Sequence, residues 1–210
     1  MRKHELTTEY EGNLALDLKS DELTTSEQID TIRFHFEKIM LALGLDLKDD
    51  SLKDTPLRVA KMYVNEIFSG LDPKSFPEIS LFNNTYGYKE MLVEKDIQLY
   101  SFCEHHFVPF IGKAHVAYIP NENVIGLSKL NRIVKHFSKR PQVQERLTMD
   151  IANCLKEILH TDDIAVVIEA KHFCVAARGV EDGGSMTITS HLSGKFQEQK
   201  NKETFYSAIK

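Results

Sequence analysis

The chain has 210 residues, of which 42% are hydrophobic and 27% are charged, and its formal net charge is −5. This composition is that of a folded globular protein, and its acidic balance argues against a general nucleic-acid-binding protein, which is usually basic. No apolar run approaches the ~20 residues that span a bilayer, and the N-terminus lacks the apolar block and cleavage site of a signal peptide. The three cysteines suggest no disulfide framework. We therefore expect a cytoplasmic protein that binds neither nucleic acid nor membrane.

The N-terminal part of the sequence predicts an arm followed by a helix. Residues 1–23 are polar, mixed in charge and without periodicity, which is typical of a flexible arm. After them, apolar residues recur every three or four positions from Ile29 to Leu43, and Thr25 with Gln28 offers a capping box. The pattern predicts an amphipathic helix that begins near Thr25.

A second helix is predicted where Asp54-Thr55-Pro56 gives a cap residue followed by proline in the first turn. We expect it to end at Gly70, since glycine is favoured just after helix C-termini. Residues 71–90 are rich in Pro, Asn, Tyr and Gly, which indicates an irregular connector. Together these segments predict an N-terminal helical region over residues 24–90.

The remainder, residues 91–210, is predicted to be an α+β domain. Apolar and polar residues alternate in four predicted strands, at 91–103, 112–119, 164–175 and 185–192. Two helices are expected at about 128–139 and 141–160, divided at Pro141, and a short one at 202–209. The order predicts a four-stranded antiparallel sheet with two helices on one face. Because its second face and its edges would be exposed, we expect an oligomer.

The densest chemical signal is the segment Cys103-Glu104-His105-His106, which follows the first predicted strand. Cys103 and His106 are three positions apart, so a single turn brings thiolate and imidazole together, as zinc requires. Further along, His172 and Cys174 alternate onto the same face of a predicted strand. Two cysteines and one histidine would give three protein ligands, the number found in catalytic zinc sites that keep a position for water.

The predicted helix at 128–139 carries the second signal. Lys129 to Arg140 contains five Lys or Arg and no carboxylate, with an apolar stripe on the opposite side. His136 belongs to the same basic face, and Gly126-Leu127-Ser128 leaves backbone N–H groups at the positive end of the helix, where phosphate binds well. The pattern predicts a site for a polyanion. The alternative is a solvated positive face without a ligand.

Two further patterns have simpler alternatives. Gln144 and Glu145 fall in the first turn of the next helix, where a carboxylate suits the helix dipole. That carboxylate could instead accept hydrogen bonds from two adjacent donors, such as guanine N1–H and N2–H₂. Cys103 and Cys174 could each be small buried hydrophobes, which is the role expected of Cys154 on the apolar face of its helix.

Five motifs, in order along the chain, resemble those of GTP cyclohydrolase I; they lie at 54–60, 103–107, 126–132, 140–148 and 172–179. The resemblance runs from about residue 26 to the C-terminus, although residues 181–184 match more loosely and residues 1–23 match nothing. It implies the tunnelling fold (T-fold), in which the sheets of several subunits join into a barrel. It also implies a homodecamer of two pentameric rings, with active sites between subunits.

The activity that the resemblance implies is conversion of GTP and water to 7,8-dihydroneopterin triphosphate and formate, the first step of folate or tetrahydrobiopterin biosynthesis. The implied cofactor is Zn²⁺, and the implied ligands are Cys103, His106 and Cys174. A bound zinc ion lowers the pKa of its water to roughly 7, which supplies hydroxide for attack on C8 of guanine. His172 is similar to the acid that protonates N7, and His105 to the residue that assists ring opening and the later ribose steps.

The resemblance also implies the substrate contacts. Gln144 and Glu145 would hold the guanine edge. Ser128 would contact phosphate or ribose and take part in the sugar rearrangement. The implied triphosphate contacts are Lys129, Arg132, Arg178 and, from another subunit, Arg58.

Two alternatives stay open from the sequence. Nitrile-reducing deazapurine enzymes of the same fold use a cysteine nucleophile without zinc, and Cys103 beside His105 could form such a site. The second Cys–His cluster would then have no role, so zinc content distinguishes the two. A structural zinc module that binds nucleotides or a protein partner is the other alternative, and it requires a fourth protein ligand.

Overall fold

A computed structural model describes residues 23–210, so the predicted arm lies, apart from Leu23, outside the described residues. Helix α1 spans Thr25–Ala42 and begins with a capping box. The Thr24 hydroxyl accepts from the Glu27 amide over 3.3 Å, and the Glu27 carboxylate accepts from the Thr24 amide over 2.7 Å. The box therefore lies one residue earlier than predicted. Within residues 23–210, no helix is long and apolar enough to cross a membrane.

Helix α2 begins where the sequence predicts and then changes its winding. It spans Thr55–Met62 with Pro56 in the first turn, and it continues as one π-helical turn, Tyr63–Ile67. The predicted irregular connector contains a short strand, β1 (Leu81–Asn83), which pairs with β4 (Asn123–Ile125).

The main sheet has five strands in the order β5-β2-β3-β6-β7. Four of them pair with one another in antiparallel fashion: β2 (Leu92–Cys103), β3 (Pro109–Tyr118), β6 (Ile164–His172) and β7 (Thr187–Leu192). The fifth, β5 (Pro141–Gln142), pairs in parallel with the end of β2. The α+β class is confirmed, and the predicted count of four strands is corrected to five, because two residues are too short to show any periodicity.

Two helices cover one face of this sheet. Helix α3 spans Leu127–Ser138, and helix α4 spans Gln144–Leu159. The predicted start of α4 at Pro141 is wrong, because Pro141 belongs to β5. Large fully buried side chains fill the layer between helices and sheet, among them Leu99, Phe110, Tyr118, Leu130, Ile133, Phe137, Leu147, Ile151, Leu155 and Ile164.

The second face of the sheet is covered at one end, contrary to the expectation that it would be exposed. Helix α6 (Gln199–Ile209) and the turn before it bring Phe196 and Phe205 onto that face. Both phenylalanines are fully buried, against Ala117 and Val167. The C-terminal segment therefore forms a second, smaller apolar cluster.

Strand β6 ends three residues earlier than predicted, and the short helix α5 (Phe173–Ala176) follows it. The β6 register pairs His172 with Phe110, so the next position would face Pro109. Proline has no N–H to donate to a ladder, and β3 begins there. The chain therefore leaves the sheet after His172.

Candidate functional site

Two of the predicted metal ligands come from the tight turn that joins β2 to β3. At its start, the Phe107 amide donates to the Cys103 carbonyl oxygen over 2.8 Å, and the Cys103 amide donates to the Val108 carbonyl oxygen over 2.9 Å. Phe107 has a φ of 53°, in the left-handed region that few residues other than glycine adopt. This turn brings the His106 side chain beside Cys103.

The third predicted ligand, Cys174, lies in α5. The ligand atoms of Cys103, His106 and Cys174 all lie within 4.8 Å of one another. The prediction that Cys174 shares a strand face with His172 is wrong, because the strand ends at His172. The helical turn of α5 brings the thiol to the group instead. We call Cys103, His106 and Cys174 the metal-ligand group.

The chemistry of this group favours a bound cation. Burial raises the pKa of the Cys174 thiol, the Cys103 thiol raises it further, and Arg178 lowers it. Because two thiolates this close repel each other, a cation between them would stabilise both. Two sulfur donors and one imidazole nitrogen fit Zn²⁺, and three protein ligands leave one tetrahedral position open. The group can therefore hold a metal ion.

The side chain of Gln144, the first residue of α4, is buried and hydrogen-bonded at both ends. Its amide nitrogen donates to the carbonyl oxygens of Ile168 and Thr187, each over 3.0 Å. Its amide oxygen lies 2.8 Å from Nε2 of His172. Since an amide oxygen only accepts, the neutral His172 ring carries its hydrogen on Nε2 and leaves the lone pair on Nδ1.

A second contact holds the His172 ring. It stacks on Phe110 with centroids 4.6 Å apart and an interplanar angle of 8°. Burial lowers the pKa of His172, and the negative charge of Glu145 opposes that shift. Sequence reasoning missed Phe110, because a phenylalanine near a strand carries no signal beyond burial.

His105 lies next to the metal-ligand group but faces solvent, with 63% of its side chain exposed. Its Nδ1 is 3.7 Å from the Cys103 sulfur, and its Nε2 is 4.0 Å from a carboxylate oxygen of Glu104. His105 is therefore open to solvent, whereas the Cys103 thiol beside it is buried.

The predicted substrate contacts are distributed over several elements. Lys129 is half-buried, and the others apart from Gln144 are exposed: Arg58, Ser128, Arg132, Glu145 and Arg178. Glu145 and Arg178 act electrostatically on His172 and Cys174 respectively. Within residues 23–210, no hydrogen bond or ion pair joins Arg58, Ser128 or Lys129 to the metal-ligand group. Helix α3 is capped by Gly126, so Ser128 lies inside its first turn.

A cavity of about 410 Å³ lies along α3, and Arg132, Lys135 and Lys139 line it together with Ser69, Gly70, Ser75, Pro77 and His136. No carboxylate is among these lining residues. Burial and the nearby Lys135 lower the pKa of Lys139. His136, which the sequence placed on the exposed basic face, is buried instead, and burial together with Arg140 lowers its pKa to about 4.

A family model described as GTP cyclohydrolase I matches residues 32–210. The chain belongs to the GTP cyclohydrolase I family. Because the match covers both halves of the metal-ligand group and the basic helix α3, the family resemblance that the motifs indicated is confirmed. The chain is accordingly a GTP cyclohydrolase, a hydrolase that acts on GTP.

Curated relatives within the GTP cyclohydrolase I family agree over most of the chain. The GTP cyclohydrolase 1 of Flavobacterium johnsoniae is 53% identical over 203 residues, which cover 96% of this chain and 91% of that protein. The GTP cyclohydrolase 1 of Yersinia enterocolitica is 50% identical over 198 residues, 94% of this chain and 90% of that protein. That of Buchnera aphidicola is 55% identical over 170 residues, 80% of this chain and 78% of that protein.

Proposed function

We propose that the chain is a zinc-dependent enzyme that converts GTP to 7,8-dihydroneopterin triphosphate and formate, the first step of folate or tetrahydrobiopterin biosynthesis. The observation that carries this proposal is the metal-ligand group, with His105 and His172 beside it. Within residues 23–210, no fourth Cys, His, Asp or Glu joins the group, which supports an open catalytic site rather than a closed structural one. A cysteine-nucleophile enzyme without zinc would leave His106 and Cys174 with no role.

The residues around the group have complementary parts in this reaction. A zinc ion held there would supply hydroxide near neutral pH for attack on C8. His172 presents Nδ1 to the substrate while Gln144 accepts from its Nε2–H; protonated on Nδ1 as well, the imidazolium delivers that Nδ1 proton to N7 and returns to the neutral ring. His105, which faces solvent, accepts and returns protons as the imidazole ring opens and the ribose rearranges. The amide nitrogen of Gln144 already donates within the protein, to Ile168 and Thr187 carbonyl oxygens and the Thr189 hydroxyl. We therefore assign the contact with the guanine edge to Glu145, and we assign to Gln144 the orientation of the His172 ring.

The proposal is tested by the product. Purified protein incubated with GTP should release formate and, after oxidation, a fluorescent pterin. Absence of both from zinc-loaded protein would contradict the proposal.

Glu145 is proposed to select guanine. It is exposed in the first turn of α4, beside the buried Gln144 that holds His172. Its carboxylate can accept from guanine N1–H and N2–H₂ together, whereas adenine offers neither donor there. Binding ATP would leave the carboxylate facing an acceptor, which disfavours the wrong base as well as favouring the right one.

Glu145→Ala is expected to lower kcat/KM for GTP by tens to thousands of fold, because the bound guanine would bury the carboxylate, and losing one partner of a buried charged hydrogen-bond pair costs on the order of 2–5 kcal/mol. ITP, which lacks the exocyclic amine, should be a poor substrate for the wild type and should lose less on mutation. Steady-state kinetics with both nucleotides and both proteins measure the effect. If the ratio of kcat/KM for GTP to kcat/KM for ITP were the same in the variant as in the wild type, Glu145 would be only an acidic residue that suits the helix dipole.

The triphosphate is proposed to bind along the basic face of α3, through Lys129 and Arg132, with Arg178 and a second subunit's Arg58. The cavity lined by Arg132, Lys135 and Lys139 supports this, since cations that share a cavity without a carboxylate repel one another until an anion enters. Ser128, exposed in the first turn of α3, is proposed to contact phosphate or ribose. This basic face then serves the substrate and not a nucleic acid.

Arg132→Ala is expected to weaken GTP binding more than guanosine binding, because only GTP carries the phosphates that the guanidinium contacts. Added salt should reduce the difference, since mobile ions screen exposed charges. Calorimetric titration of both ligands at two salt concentrations measures it. Equal losses for GTP and guanosine would contradict the assignment.

We also propose the T-fold assembly, a homodecamer of two pentameric rings. The strand β7 lies at a sheet edge and has Ile188 66% exposed, and Ile39 on helix α1 is 52% exposed. Apolar side chains at an unpaired edge and on a helix face support association.

Residues 91–210 would be the catalytic domain and residues 24–90 the helical region. The three free cysteines support a reducing compartment, the cytoplasm.

A further inference from the structure

The turn that carries Cys103 and His106 is held from outside by Arg146, a residue of the first turn of α4. The Arg146 guanidinium donates through Nη2 to the Glu104 carboxylate. The same nitrogen donates to the Pro141 carbonyl oxygen over 3.0 Å, and Nε donates to the Gln142 side-chain oxygen over 2.9 Å. One guanidinium therefore joins Glu104, which lies between the two metal ligands, to both residues of β5.

Strand β5 is itself fixed, so it gives this contact a rigid base. Gln142 is 1% exposed, and its side-chain nitrogen donates to the Phe137 carbonyl oxygen and to the Asp150 carboxylate, each over 3.2 Å. The Gln142 carbonyl oxygen accepts from the Glu104 amide over 3.0 Å. Glu104 is thus held by its backbone and by its side chain at once.

The Glu104 carboxylate also faces the exposed histidine of the site. One of its oxygens accepts from Arg146, and the other lies 4.0 Å from Nε2 of His105. Arg146 and Glu104 are 33% and 32% exposed, so this ion pair is better shielded from water than the Lys113–Asp96 pair, whose members are 46% and 45% exposed. Shielding strengthens the attraction and fixes its geometry.

We propose that Arg146 and Glu104 are positioning residues that set the geometry of the Cys103–His106 turn and of His105 before the metal binds. Neither residue is a metal ligand in this proposal, which rests on the proposed zinc function. Residues outside the ligand set that orient the ligands commonly contribute 10–100-fold to metal affinity. A turn with a left-handed Phe107 needs such support, since that backbone conformation is unfavourable by itself.

The test measures zinc affinity in the full chain, by competition of the metal-free protein with a chromogenic chelator. Arg146→Met and Glu104→Gln should each raise the zinc dissociation constant about 10–100-fold. The double variant should lose little more than the larger single loss, because both residues act through one contact. The absorption spectrum of the Co²⁺-substituted variants should shift, since ligand geometry sets it. Lys113→Met, which removes the 2.7 Å pair with Asp96, is the matched control and should change neither readout.

Wild-type zinc affinity and an unchanged Co²⁺ spectrum in Arg146→Met would overturn the inference. So would fully additive losses in the double variant, which would mean that the two residues act separately. The thermal unfolding midpoint of each metal-free variant separates a folding defect, which lowers the midpoint, from a positioning effect, which leaves it unchanged. Arg146→Lys, which keeps the positive charge, is measured in the same way. A wild-type chain that binds no zinc would contradict the proposed function itself, and this result differs from equal zinc binding by wild type and variant.

Discussion

Replacing Cys103 or Cys174 with serine is expected to release the metal and abolish formate production from GTP. Among the described residues, the two sulfurs belong to the one group of three potential ligands whose ligand atoms all lie within 4.8 Å of one another. An alcohol is a far weaker zinc ligand than a thiolate, and the two remaining donors would not retain the ion. Metal analysis of the purified variants, together with a formate assay, measures both losses.

Cys154→Ser is the matched control for these variants. Cys154 is fully buried in the core between α4 and the sheet, and burial raises the pKa of its thiol, so it is a structural residue. It should keep zinc and activity while losing some stability. Full zinc retention in both Cys103→Ser and Cys174→Ser would remove these residues from the ligand set.

His172→Ala is expected to keep the metal while turnover falls by ~10²–10⁴-fold, the usual cost of a missing general acid or base. His172 is not among the three residues whose ligand atoms lie within 4.8 Å of one another, and Gln144 and Phe110 hold its ring. His105→Ala should behave in the same way, since its exposed ring lies beside the group without belonging to it. Zinc content and kcat, measured on the same preparations, test both variants.

The control for the histidine variants is His35→Ala, at an exposed position of α1 far along the chain from the site. It should change neither zinc content nor kcat. Loss of metal from His172→Ala or His105→Ala would show that the division between metal ligands and proton-transfer residues is drawn in the wrong place.

The sequence predicted the metal-ligand group for reasons that the structure only partly shares. The spacing of Cys103 and His106 does correspond to one tight turn. For Cys174 the predicted position near Cys103 and His106 was correct, but the predicted strand was not, because Cys174 lies in helix α5. Alternation of residues along one strand cannot show that the strand loses its partner at a proline on the adjacent strand. The pairing of β6 with β3 depends on tertiary structure, and this pairing determines where β6 ends.

The positions of Gln144 and His136 show a second limit of what sequence patterns can predict. Helical periodicity tells which residues share a face, but it does not tell which polar side chain finds partners inside the protein. Gln144 is satisfied by Ile168 and Thr187, which lie far away in sequence, and His136 is enclosed beside Ser75. The two-residue strand β5, which sets the start of α4, is likewise too short for any pattern. The α+β order and the main helices depend on local patterns and were predicted.

The most direct test of the account follows the carbon that leaves the purine ring. Protein stripped of metal, and the same protein after zinc is restored, are each incubated with GTP labelled with ¹³C at C8, and formate is quantified by NMR. We predict labelled formate in amounts equal to the pterin formed, and only after zinc is restored. Labelled formate at the full rate from the metal-free protein, or none from the zinc-loaded protein, would contradict it.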